Sequence, residues 1–271
     1  MAKDNRMLTP VKIDDRIDAY LGIPEGIGKR PVIIHMHERY GIVQHTLDLG
    51  EKYVKAGYVT IVPDYFSRFT GDRKALAEGN DRCELDDEVV LSDTDVIMDY
   101  MRSVAQADMS KVAMSGVCQT GRQPILVGAK RDYLCAAVVL YGAVYEADWK
   151  SHPMRPESIE TLMQKMQCPL TAVFGELDNL IHLDNIVRMA AVLAAAKKSF
   201  GIRVYPDAPH GFLNDTMPGR YRQLQSDAAW NQIVSFLKSV FAGEWKKDRA
   251  IWRFEADTSL DYDFSAMKRW E

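Results

Sequence analysis

The chain has 271 residues, 47% hydrophobic and 27% charged, which is enough apolar material for one large core and too well mixed for a disordered or fibrous protein. Its 34 Lys and Arg are dispersed among 38 Asp and Glu, for a formal net charge of -4, so nucleic acid is set aside as a partner. The polar start MAKDNRMLTPVKIDDR lacks the apolar stretch of a signal peptide and no later run approaches a membrane span, so a cytoplasmic protein with no membrane partner is expected.

In chain order, Val11 to Ile13 and Ile17 to Ile23 flank Asp14-Asp15-Arg16 and read as an antiparallel hairpin at a sheet edge. The runs Val32 to His35, Val59 to Pro63, Val112 to Ser115, Ala136 to Leu140, Leu170 to Gly175 and Arg203 to Tyr205 read as buried strands. Between them the helical period marks Gln44 to Ala56, about Glu84 to Ala105, Thr120 to Lys130, Leu183 to Ala196 and Ser226 to Phe241. The alternation predicts an α/β fold, a mostly parallel central sheet with helices on both faces, over a single domain of residues 1–242. Residues 243–271 form an aromatic-rich extension, expected to pack on the body or on a partner subunit of a homodimer.

Cys83, Cys118, Cys135 and Cys168 show neither CxxC pairing nor metal-ligand spacing, so neither a disulfide framework nor a metal site is expected. In parallel sheets ligands collect beyond the carboxyl ends of strands, and the residues just after each strand are the first candidates for chemistry.

One such place is Ser115-Gly116-Val117-Cys118-Gln119-Thr120-Gly121, where an apolar strand turns into a helix with glycines on both sides of a cysteine. A nucleophile elbow needs this sharp turn, which small neighbours permit. Here Cys stands for the usual Ser, and Thr120 stands where Gly is more common. A thiol at a helix start sits among backbone N–H groups that favour the thiolate, and the Gln119 N–H would donate to an oxyanion. Most free cysteines are small buried hydrophobes, which is the reading applied to Cys83, Cys135 and Cys168. Ser115 is the rival nucleophile, although it lies in the strand.

After the next strands come Asp178, in Gly175-Glu176-Leu177-Asp178, and His210, in Pro209-His210-Gly211-Phe212. A histidine can exchange a proton with a thiol near neutral pH, and a carboxylate on its other nitrogen fixes the tautomer. Glu176 and Asp184 compete as the acid, and His182 as the base. Glu38, after the strand ending at His35, opens at the same edge, where a carboxylate could hold the resting thiol or pass on its proton. The Arg39 N–H there could be a second oxyanion donor.

With His37-Glu38-Arg39-Tyr40-Gly41, Val62-Pro63-Asp64-Tyr65-Phe66-Ser67-Arg68, Gly116-Val117-Cys118, Gly175-Glu176-Leu177-Asp178 and His210-Gly211-Phe212-Leu213-Asn214-Asp215, the chain resembles the dienelactone hydrolase (carboxymethylenebutenolidase) family from about Pro31 to Phe241. The resemblance implies an α/β-hydrolase fold and a Cys118, His210, Asp178 triad that forms a thioester acyl-enzyme. It also implies that Glu38 pairs with the cysteine at rest, and that no cofactor or metal is needed. In the family an arginine shortly after the histidine binds the substrate carboxylate, and this chain has Asn214 there. Arg73, Arg82, Arg122 and Arg220 are candidate substitutes, and Tyr40, Tyr141 and Phe212 are candidate pocket residues. The expected reaction is cleavage of a small, anionic ester or lactone. A general carboxylesterase, and a silent scaffold that binds a ligand or senses oxidants through its thiol, are the alternatives.

Overall fold

The computed structural model describes residues 7–246 and 248–259. The chain divides into two compact units, Met1–Ser115 and Gly116–Glu271.

In the first unit, β1 (Leu8–Ile13) and β2 (Ile17–Gly22) form the expected hairpin. Its turn places Asp14 and Asp15 at φ of 51°, a left-handed conformation that Asp tolerates better than most residues. β3 (Arg30–His35) follows, then α1 (Gln44–Lys55) and β4 (Val59–Pro63), which is buried at every position. A fully buried strand reads as a continuous apolar run, and VTIVP is one. The short α2 (Arg73–Ala77) was not foreseen. It starts where Asp72 accepts from the Lys74 and Ala75 amides, and α3 (Asp87–Arg102) starts in the same way at Asp86. β5 (Ala107–Val117) crosses the division between the units. The strand order in this unit is β1-β2-β4-β3-β5, with the hairpin antiparallel and β4, β3 and β5 parallel.

The second unit continues with a 3-10 turn, Cys118–Arg122, and α4 (Gln123–Lys130). The helix read from Thr120 therefore begins three residues later, behind a tighter turn. Then come β6 (Leu134–Leu140), a 3-10 helix Glu146–Trp149, α5 (Ile159–Lys165), β7 (Leu170–Leu177), α6 (Leu183–Ala195), β8 (Phe200–Pro209) and α7 (Gln223–Phe241). The last described element is β9 (Trp252–Ala256), parallel to β8, with Phe200 opposite Trp252 and an Arg203–Glu255 pair at 3.0 Å. The segment read as an arm beyond the last helix thus contains a strand. Its continuation over 260–271 lies outside the described residues. β6, β7, β8 and β9 are all parallel, and the β7–β8 register shifts between Gly175 and Leu177. Among the described residues no helix is long and apolar enough to cross a membrane.

Candidate active site

Where β5 ends the chain reverses at Cys118, whose φ is +53°. A non-glycine residue held there costs about 1 kcal/mol or more. Its neighbours must be small: a Cβ on Gly116 would lie 2.3 Å from the Thr120 carbonyl oxygen, and one on Gly121 would lie 2.7 Å from Gly142 Cα. The Thr120 hydroxyl accepts from the Val117 amide and donates to the Val117 carbonyl, both at 3.0 Å. The residue that departs from the usual elbow pattern therefore braces the turn with its side chain.

The Cys118 sulfur lies 3.1 Å from His210 Nε2, and His210 Nδ1 lies 2.8 Å from Asp178 Oδ2. Asp178 directly follows β7, and His210 directly follows β8. The other carboxylate oxygen of Asp178 accepts from the Leu180 and Ile181 amides at 2.8 and 3.0 Å, which fixes the group facing the ring. All three residues are less than a tenth exposed. Burial by itself disfavours a charged imidazole. The Asp178 carboxylate and then the Cys118 sulfur outweigh it, and hold the His210 pKa well above its usual range.

The sequence did not single out Tyr145, whose hydroxyl donates to the Cys118 sulfur at 3.4 Å. Burial, followed by the neighbouring sulfur, pushes this phenol well above its ordinary pKa, so it stays a proton donor. It lies in the Tyr141–Gln167 stretch, where no motif marks any one residue. The Tyr141 ring meets His210 edge-on at 5.2 Å and Phe212 at 5.8 Å, and Phe212 packs in turn on Tyr205 at 5.7 Å. Both Tyr141 and Phe212 are fully buried.

The rival candidates have other partners. Ser115 is buried in the first unit, accepts from the Tyr53 hydroxyl at 2.9 Å and lies 3.4 Å from His35 Nδ1. Glu176 accepts from the Asp207 amide at 3.0 Å and the Ser259 amide at 2.5 Å, so it ties β8 and the tail to β7. His182 and Asp184 sit at the start of α6.

Several other expected site residues lie in the first unit. Glu38 is buried just past β3, where its carbonyl accepts from Gly41 N at 3.1 Å. The Arg39 guanidinium donates to the Gly79 carbonyl at 2.9 Å and stacks over the Tyr40 ring. Arg73 pairs with Asp64 at 3.0 Å, and Arg82 pairs with Glu84. In the second unit, Arg122 is fully buried and donates to the Glu157 carbonyl at 2.7 Å. Arg220 lies along Gly211, with its Cδ 3.6 Å from where a Cβ would be.

Residues 17–241 match the sequence pattern of the Dienelactone hydrolase family. A protein of Escherichia coli provisionally named carboxymethylenebutenolidase is 29% identical over 230 residues, covering 83% of each chain. One from Bradyrhizobium, provisionally named 2-oxo-3-(5-oxofuran-2-ylidene)propanoate lactonase, is 25% identical over 229 residues, covering 83% of this chain and 90% of its own. Among solved structures, a provisionally identified dienelactone hydrolase from Klebsiella pneumoniae superposes with a TM-score of 0.76 at 24% identity, over 85% of this chain and 98% of the other.

Proposed function

Because the chain belongs to the dienelactone hydrolase family and is a carboxylic ester hydrolase of the α/β-hydrolase fold, we propose that it cleaves small esters and lactones with Cys118 as nucleophile. The observation that carries this reading is the short relay of Cys118 Sγ, His210 Nε2, His210 Nδ1 and Asp178 Oδ2, at 3.1 and 2.8 Å. In the mechanism the Cys118 proton passes to His210, and Asp178 supports the imidazolium. The thiolate attacks the ester carbonyl, a C–S bond forms, and the carbonyl π electrons move to oxygen. The N–H of Gln119, the residue after Cys118, is the donor to that oxyanion in this reading.

Collapse of the adduct breaks the C–O bond, and His210 gives its proton to the departing alkoxide. Water, deprotonated by His210, then attacks the thioester and releases the acid and the thiol. Thiolates cleave activated esters and lactones well and expel amide nitrogen poorly, which separates this activity from peptide hydrolysis. No step uses a metal or cofactor.

A small anionic lactone fits this reading best, since the Bradyrhizobium relative is named for a lactone that carries a carboxylate. Arg220, beside His210-Gly211, is the cation we assign to that carboxylate in place of the family's arginine. As thiols, Cys83, Cys118, Cys135 and Cys168 suit a reducing, cytoplasmic setting.

The test is hydrolysis of a dienelactone and of a short-chain nitrophenyl ester, under reducing conditions, by the parent and by Cys118→Ala. Sustained turnover by the parent and a loss of 1,000-fold or more in the variant is expected, of the order seen on deleting a nucleophile. Equal rates would remove Cys118 from the chemistry, and a single turnover would favour a sensing scaffold.

A further inference from the structure

The Tyr145 hydroxyl meets the Cys118 sulfur on a piece of chain that is held from outside. After β6 the backbone is contorted: Tyr141 and Ala143 have φ of +36° and +75°. A Cβ on Gly142 would lie 2.4 Å from the Cys118 carbonyl oxygen, so this stretch runs directly against the elbow. Tyr145 then leads into the 3-10 helix Glu146–Trp149. Its N–H donates to Asp148 Oδ2 at 3.2 Å, and the Asp148 amide returns a hydrogen bond to the Tyr145 carbonyl at 2.8 Å.

Asp148 has a second partner, since its Oδ1 pairs with Arg155 Nη1 at 3.2 Å. Arg155 is seated by two backbone hydrogen bonds with His152, of 2.9 and 2.8 Å. The Asp148 side chain is only 3% exposed, whereas that of Arg155 is 26% exposed. A carboxylate so deep is costly to keep charged without partners, and its partners include a cation and the amide of the residue that touches the sulfur.

We propose that Asp148, gripped by Arg155, is a positioning residue that holds the Tyr145 hydroxyl on the Cys118 sulfur, and that this hydroxyl favours the thiolate by donating to it. A hydrogen bond to a charged acceptor is stronger than one to a neutral one, so a donor held in place lowers the affinity of the sulfur for its proton. When the thiol ionises, its proton goes to His210 Nε2. The phenol keeps its own proton, because burial, then the sulfur itself, and then Asp178 and Asp148 oppose a second negative charge at that point. This inference rests on the reading of Cys118 as the nucleophile, and it concerns how that nucleophile is kept ready.

The experiment needs no substrate. The thiolate absorbance of Cys118, taken as the parent minus Cys118→Ala difference, is titrated with pH in Tyr145→Phe, Asp148→Ala, Asp148→Asn and the Tyr145→Phe/Asp148→Ala double variant. We expect Tyr145→Phe to raise the proton affinity of the thiolate about tenfold. Asp148→Ala should do nearly the same, Asp148→Asn less, and the double variant no more than Tyr145→Phe alone.

A titration in Asp148→Ala equal to that of the parent would overturn the proposal. So would an Asp148→Ala effect that adds in full to that of Tyr145→Phe, because Asp148 would then act by another route. If Asp148→Ala does not fold, Arg155→Met decides: a smaller change of the same sign supports the proposal and none overturns it. Turnover by Cys118→Ala would remove Cys118 as the nucleophile, whereas the titration alone judges this inference.

Discussion

At the scale of residues, charge on His210 decides the pH behaviour. Asp178, 2.8 Å away, and the Cys118 sulfur raise the pKa of the ring against the pull of burial. A thiolate–imidazolium pair loses activity on the alkaline side where the imidazolium deprotonates, so that limb of kcat/KM should lie above the ordinary histidine range. Asp178→Asn removes the carboxylate and leaves the burial and the sulfur, so the limb should move down toward the ordinary histidine range of about pH 6.5. A pH–rate profile of both proteins checks this, and an unmoved limb would assign it to another group. The sign for stability follows from the same elevation: the contribution of His210 is fully present below the unfolded value of about 6.5 and is lost as pH rises through the higher folded value. Cys118, Asp178 and His210 were legible because each directly follows a strand or turn that the sequence marks. Tyr145 was not, since only a contorted loop carries its hydroxyl to the sulfur.

At the scale of elements, the join between β7 and β8 sets the relay. Gly175 lies where the register shifts, and a Cβ there would stand 2.0 Å from the Ala208 carbonyl oxygen and 3.1 Å from that of Pro209. Both obstacles are backbone, so the strands would have to part. Asp178 lies three residues beyond Gly175, and His210 two beyond Ala208. Gly175→Ala should therefore cost about 3 kcal/mol in a urea melt and lower kcat together with it; a variant as stable and active as the parent would show that the strands can move apart freely. The pattern Gly-Glu-Leu-Asp marks this place, yet no sequence rule tells that the glycine is needed for close approach. β9 shows the converse case. Trp252-Arg253-Phe254-Glu255-Ala256 alternates as a strand should, but every residue is exposed and only its pairing with β8 makes it one.

At the scale of the whole molecule, acid should unfold the protein partly through His35. This ring is wholly buried, with Nδ1 3.4 Å from Ser115, whose hydroxyl accepts from Tyr53. Burial, then the charges His45 and His37 would carry, lower its pKa to about 3. Between pH 6.5 and 3 the unfolded chain thus binds a proton that the folded one refuses, and stability falls with pH, by roughly 2–3 kcal/mol at pH 4.5. Urea melts at pH 7 and 4.5 should show that difference shrinking in His35→Gln; an unchanged acid slope would place the sensitivity elsewhere. By itself the sequence determined the α/β alternation, the hairpin, the family and the order in which Cys118, Asp178 and His210 follow their strands, because apolar period and turn residues act over a few neighbours. The β7–β8 register shift, the ninth strand, the Thr120 brace and the contacts of Tyr145 and Asp148 were decided only in the folded chain. Each depends on groups brought together by strand pairing or by a left-handed backbone, and no local pattern encodes those distances.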